Sequence, residues 1–231
     1  VLARSIRALA ADARVKSILC VIHPDDQPLY LSAISVLPDL IKDRLLPPTS
    51  GGATRQASGR AGLEALAAMP RRPDIILVHD AARPFTSPAL VSRSIESAFS
   101  KGAAIPGIAV TDTIKRTDVH GQITDTPVRR DLKAVQTPQA FRFDLLLKAH
   151  QAAANEKNVD FTDDASIAEW AGHAVYVFDG EAGNTKLTTS SDLVSAREKM
   201  MGPSETRTGI GYDVHAFAEG DGVMLGGVMI P

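Results

Sequence analysis

The chain has 231 residues, 44% hydrophobic and 23% charged, with a formal net charge of −2. That is the composition of a globular protein with room for one α/β domain of ordinary size plus a remnant. The nearly balanced charge excludes a general nucleic-acid surface, so a phosphate ligand needs a local cluster of basic groups. No apolar run is long enough to span a membrane, and the first residues do not read as a signal peptide.

In chain order, Leu2, Ile6, Leu9 and Ala13 repeat at helical spacing and predict an amphipathic helix over 2–13. Residues 17–23 predict a strand. The single cysteine, Cys20, lies inside it; no intrachain disulfide exists, which fits a reducing compartment, the cytoplasm. An α/β chain normally opens on a strand, so an earlier strand and loop are expected before residue 1. Residues 28–41 predict a helix disturbed at Pro38, and Leu45-Leu46-Pro47-Pro48 at most a short edge strand. Gly51-Gly52 precedes a helix over 55–68. Paired glycines there can leave backbone N–H groups free for an anion, although a plain loop reads equally well.

Asp74–Val78 is a short apolar run rich in β-branched residues, read as a buried strand of a parallel sheet. It stops at His79-Asp80-Ala81-Ala82-Arg83-Pro84. A carboxylate at the carboxyl end of such a strand sits where open α/β sheets bind ligands. Taken alone, Asp80 reads as well as a turn cap and Arg83 as a solvated charge. A helix over 88–101 follows, opened by Ser87-Pro88, then a strand from Ala103 to Val110. Residues 112–138 break the strand–helix alternation. A turn at His120-Gly121, with Ile123 and Val128 on the return, predicts a protruding hairpin that needs a partner to cover it. Helices over 142–156 and 163–171, a strand over 175–178 and a helix over 190–201 complete the alternation. Residues 202–206 have linker composition. Arg207–His215 reads as a strand of a new domain, and Val223–Ile230 as its hairpin partner.

Five motifs stand in series: His79–Pro84, Asp112-Thr113-Ile114-Lys115-Arg116, Gln136-Thr137-Pro138-Gln139-Ala140-Phe141, Thr162-Asp163-Asp164-Ala165-Ser166 and Asn184-Thr185-Lys186-Leu187-Thr188. Together they resemble the 2-C-methyl-D-erythritol 4-phosphate cytidylyltransferases of non-mevalonate isoprenoid synthesis. The tail, Gly209–Phe217 with Leu225-Gly226-Gly227-Val228, resembles the opening of 2-C-methyl-D-erythritol 2,4-cyclodiphosphate synthase, and the pair resembles the bifunctional fusion of some bacteria. The resemblance implies an α/β fold: a Rossmann-like, mostly parallel twisted sheet with helices on both faces and a protruding β-hairpin arm, followed by the first hairpin of a second α+β domain. It implies a cytidylyltransferase domain over 1–201, a linker over 202–206 and a truncated synthase start over 207–231.

The implied reaction joins CTP to 2-C-methyl-D-erythritol 4-phosphate and releases pyrophosphate. The fused synthase would cyclise the later phosphorylated product and release CMP. Arg129 and Lys186 would position the acceptor phosphate; Arg130 competes with Arg129, which the spacing back from Gln136-Thr137-Pro138 favours, and without its motif Lys186 reads as an exposed lysine after a Gly-Asn turn. Gly51, Gly52, Arg55 and Ser58 would meet base and sugar. Asp80, Ala81 and Arg83 would line the nucleotide site, with Asp80 as a Mg²⁺ ligand. Thr113, Thr137, Thr162 and Asp163 are secondary contacts. Asp213 and His215 would be ligands of a Zn²⁺ or other divalent site in the synthase part. A homodimer through the arm is implied, with higher assembly through synthase trimers. The family's amino-terminal Gly-rich loop and the third synthase ligand have no counterpart, and Ala53 replaces an acidic residue common in relatives, so the chain as given is expected to be inactive by itself. Rival readings are another sugar-phosphate nucleotidyltransferase and a non-catalytic scaffold.

Overall fold

The computed structural model describes residues 1–154, 156, 161–201, 220–225 and 227–230. The chain divides into two compact units, Val1–Asp192 and Leu193–Pro231.

The first unit opens on α1 (Leu2–Ala10), which buries Ile6 and Ala10. It ends three residues earlier than the periodicity predicts. Asp12 accepts the Arg14 backbone N–H and grips its guanidinium, offering the backbone an alternative to the helix. β1 (Val21–Ile22) pairs in parallel with β2 (Thr49–Ser50). The same two chain stretches already meet at Ile18 and Leu45, and Pro47 and Pro48, which have no N–H to donate, interrupt the ladder between. Between β1 and β2 the predicted helix is divided into α2 (Gln27–Ser35) and α3 (Asp39–Lys42), with Pro38 at the break. α4 (Arg55–Ala67) is capped by Thr54, whose hydroxyl accepts the Ala57 N–H.

The main sheet holds β3 (Ile75–Val78), β4 (Ala103–Ala109), β7 (Lys133–Val135), β8 (Gln139–Arg142) and β9 (Tyr176–Asp179). β3, β4 and β9 run in one direction, and β4 and β9 pair in parallel. The return strand β7–β8 runs antiparallel to them, with β8 inserted between β3 and β4. β3 is therefore not the buried parallel-paired strand that its apolar run predicts: it pairs antiparallel with β8 and is half-buried along its length. Pro106 explains why the return strand is in two pieces. It lies in mid-β4 with no N–H to offer, so β8 pairs at Ala103–Ala104, β7 at Gly107–Ala109, and residues 136–138 bridge between them beside mid-β4, Gln136 N–H donating to the Pro106 carbonyl.

α5 (Pro88–Lys101) is capped by Ser87 and ends at Gly102, whose φ of 87° suits glycine. α6 (Phe143–Ala153) and α7 (Asp164–Trp170) pack on each other and on the sheet. Leu63, Leu66, Ala103, Ile105, Phe141, Phe143, Leu146 and Leu147 make the principal core. Between β4 and β7, residues 111–126 are exposed throughout. They carry a short antiparallel ladder, β5 (Arg116–Thr117) with β6 (Ile123–Asp125), turning at Gly121.

α8 (Ser190–Met201) begins in the first unit and continues into the second. In the second unit, β10 (Val223–Leu225) pairs with β11 (Val228–Ile230). The run 223–230 thus folds on itself rather than forming one strand: Leu225 lies opposite Val228 and Gly227 has a φ of 83°. The predicted strand 207–215 and linker 202–206 lie outside the described residues.

Candidate active site

Three segments meet at the carboxyl ends of β3, β4 and β9: the turn 79–86 after β3, the bridge 136–138 between β7 and β8, and the loop 180–187 after β9. Asp80 is the focus. Its Oδ2 lies 2.9 Å from Lys186 Nζ and 3.9 Å from Arg83 Nε. The second distance is too long for a hydrogen bond, and Arg83 Nε is buried without one. Burial lowers the pKa of Arg83, against the opposing charge of Asp80.

A polar network fixes these segments to one another. His79 Nε2 faces the Arg83 carbonyl, which only accepts, so Nε2 carries the proton and Nδ1 is the acceptor. Thr137 Oγ1 therefore donates to His79 Nδ1 and accepts the Asp80 backbone N–H. Burial pushes the pKa of His79 down to about 4, keeping the imidazole neutral in this role. Asn184, fully buried, donates to the Thr137 carbonyl, accepts from Thr86, and receives the Arg83 guanidinium on its own carbonyl. Gln136 exchanges two hydrogen bonds with the Glu181 backbone, and Leu187 N–H donates to the Ala82 carbonyl. Lys186 is thus placed on Asp80 by anchors on either side of it.

A second cluster forms at α4. Gly51 donates to the Ile22 carbonyl, and Gly52 to Ser58 Oγ, which also donates back to the Thr54 carbonyl. An added Cβ would come within 2.8 Å of Ser58 Oγ at Gly51, and within 2.5 Å of the Ala57 Cβ at Gly52. Both glycines are there because the loop lies against its own helix. Arg55 reaches Asp164, which also holds the buried His150. Burial raises the pKa of Asp164, but the His150 hydrogen bond and the Arg55 charge outweigh it and hold the carboxyl below its usual range. Asp163 caps α7 and accepts from Gln139, the residue opposite Val78. That contact joins the second cluster to the first.

The predicted residues are therefore divided. Asp80, Ala81, Arg83, Thr137 and Lys186 come together, and Gly51, Gly52, Arg55, Ser58 and Asp163 form the neighbouring cluster, with Thr162 exposed beside Asp163. Arg129 sits in a short 3-10 turn and donates to the Thr111 carbonyl at 2.6 Å, near the exposed Thr113. Arg130 pairs with its neighbour Asp131, at 3.5 Å. Asp213 and His215 lie outside the described residues. Sequence reasoning passed over the side chains doing the fixing: His79, Gln136, Gln139, His150, Asp164 and Asn184. The signal available was their place inside the quoted motifs, and for His150 a polar residue among Leu146, Ala149 and Ala153 on an apolar helix face. Among the described residues no group of three or more metal-ligating side chains occurs, and no helix is long and apolar enough to cross a membrane.

Residues 1–201 match the family model described as IspD, 2-C-methyl-D-erythritol 4-phosphate cytidylyltransferase. The whole chain aligns at 50% identity with proteins named bifunctional enzyme IspD/IspF from Nitrobacter winogradskyi and Bradyrhizobium diazoefficiens, spanning 56% of the length of each. Among solved structures, the 2-C-methyl-D-erythritol 4-phosphate cytidylyltransferase of Thermus thermophilus is 34% identical, with a TM-score of 0.70 over 87% of this chain and 90% of that one. The bifunctional IspDF of Campylobacter jejuni is 25% identical, with a TM-score of 0.63 over 84% of this chain and 45% of that one.

Proposed function

Because the chain belongs to the 2-C-methyl-D-erythritol 4-phosphate cytidylyltransferase family, we propose that its first unit transfers the cytidylyl group of CTP to that acceptor. An acceptor phosphate oxygen attacks the α-phosphorus, a new P–O bond forms, the bond to the β-phosphate breaks, and pyrophosphate leaves. Both reactants are anionic, so the protein's work is positioning and neutralising charge. The observation that carries this reading is the Lys186–Asp80 pair at the carboxyl ends of the strands. The pair is partly exposed, with side-chain exposures of 46% and 24%. Such pairs contribute about 0–1 kcal/mol, so an arriving phosphate competes readily for the lysine. Arg83, held by the Asn184 carbonyl, adds fixed positive charge nearby.

Gly51, Gly52, Arg55 and Ser58 form the side of the site that takes the base and sugar; Ala81 lines the phosphate path. Arg129, with five donors suited to bidentate phosphate contact, serves the acceptor from the exposed segment, with Thr113, Thr137, Thr162 and Asp163 as further contacts. Asp80 fits a Mg²⁺ ion held by one carboxylate and the nucleotide phosphates, the usual arrangement for that ion. When bound, the ion would offset phosphate charge. We read the protein as cytoplasmic, in line with its single cysteine.

We further read residues 1–201 as the cytidylyltransferase domain, 202–206 as a linker and 207–231 as the start of a cyclodiphosphate synthase domain. The family model spans the same residues 1–201, and the division between the two compact units falls inside α8, after Asp192. The test is pyrophosphate release by the complete natural protein with CTP and each other nucleoside triphosphate. CTP-specific release that requires the acceptor, and is weakened in Lys186→Ala, is expected. Equal use of another triphosphate would favour a different nucleotidyltransferase, and no release would favour a scaffold.

A further inference from the structure

α4 is anchored unevenly. Its buried residues are Gly62, Leu63 and Leu66, all in the second half. The first turn, Arg55-Gln56-Ala57-Ser58, offers the core no large apolar side chain. Its placement depends on polar ties. Gln56 donates to the Ala153 carbonyl at the end of α6. Arg55 Nη2 donates to Asp164 Oδ2 at 2.6 Å, across 109 residues of chain. Asp164 is almost fully buried, and its other oxygen lies 2.9 Å from His150 Nε2, also fully buried. Each carboxylate oxygen thus has one partner, and the pair spans α4, α6 and α7. The fit is close: an added Cβ at Gly59 would meet His150 Cε1 at 3.1 Å and Asp164 Oδ1 at 3.4 Å.

We propose that Asp164, oriented by His150, is a positioning residue for the nucleotide: it holds Arg55, and through Arg55 it sets the Gly51–Ser58 segment at the height the base and sugar require. The inference rests on the assignment of that segment to the nucleotide. It adds two residues, Asp164 and His150, that do not themselves reach the ligand. Removing the carboxylate charge would release the first turn of α4 while Leu63 and Leu66 keep the second half in the core.

The experiment uses the complete natural protein with Asp164→Asn, Arg55→Gln and the double variant. Two measurements are made: amide hydrogen exchange over residues 51–58 against 63–66, and KM for CTP against KM for the acceptor. Each single variant is expected to speed exchange over 51–58 but not over 63–66. Each should raise KM for CTP about tenfold, the scale of one charged hydrogen bond, with the acceptor KM little changed. The double variant should be no worse than the worse single one, because both act through one contact. Unchanged exchange over 51–58, exchange rising equally along α4, or effects that multiply in the double variant would overturn the proposal. Should Asp164→Asn fail to fold, Arg55→Gln gives both readouts, since that side chain is 41% exposed. If the wild type transfers nothing from CTP, the functional reading fails while the exchange measurement still decides the positioning role.

Discussion

Asp80 draws together Lys186, Arg83 and Thr137 from three distant parts of the chain. Lys186 and Arg129 have separate surroundings, one on a carboxylate and one on a backbone carbonyl. In the complete protein, Lys186→Ala and Arg129→Ala are each expected to weaken use of the acceptor by on the order of 1.5–3 kcal/mol, with less effect on CTP binding. Steady-state kinetics and nucleotide calorimetry check this, and an equal loss of CTP affinity would show the roles misassigned. His79 gives a pH prediction. Its folded pKa of about 4 lies below the ordinary 6.5. Between those values the unfolded chain binds more protons, so stability rises with pH. The contribution is full above pH 6.5 and is lost as pH falls toward 4, on the order of 3 kcal/mol across the window. Urea unfolding between about pH 4 and 7 should show this slope in the wild type and a flatter one in His79→Gln. Asp80 and Lys186 were marked as site candidates by the motifs that carry them, and the structure brings them together at 2.9 Å. The roles of His79, Thr137 and Asn184 were not legible, because each is defined by a partner 47 to 98 residues away.

At the level of elements, periodicity located most helices to within a few residues, and Ser87, Asp163 and Gly102 mark their ends by ordinary capping chemistry. Sheet pairing was less legible. A run such as Ile75–Val78 looks the same whether its neighbour is parallel or antiparallel, and only the return of β8 decides it. Likewise 223–230 reads as one apolar strand until glycine at the centre lets it turn. The segment 111–126 is exposed throughout: Val119 is 95% exposed, Ile114 and Ile123 are exposed with it, and so is Val128 just beyond. Two short strands with apolar side chains in water are marginal alone. A homodimer through 112–138 is therefore expected, with these residues against the partner. Light scattering of residues 1–231 at micromolar concentration should give twice the monomer mass, and Ile123→Glu with Val128→Glu should return them to monomer. A monomer in the wild type would refute the assignment.

For the whole molecule, the chain spans 56% of the length of bifunctional relatives, and its second unit begins after Asp192. The assignment of that unit to a synthase turns on Asp213 and His215, which lie outside the described residues. Were 207–215 the strand that its sequence predicts, Asp213 and His215 would share one face, since residues i and i+2 of a strand do. Carboxylate oxygen and imidazole nitrogen are suitable zinc ligands, and a catalytic site uses three protein ligands with one position open. A lone Asp-x-His pair on an edge strand would ordinarily be two solvated side chains. The metal is what the resemblance of Gly209–Phe217 and Gly226-Gly227 to the opening of a cyclodiphosphate synthase implies. If this pair supplies two of three ligands, residues 1–231 alone should hold zinc weakly, while the complete natural protein should hold about one ion per protomer. Elemental analysis after gel filtration separates the cases. The Asp213→Ala, His215→Ala variant should lose the ion while keeping CTP-dependent pyrophosphate release, because the Asp80–Lys186 site draws on neither residue. Zinc retained at full stoichiometry in that variant would place the ion elsewhere.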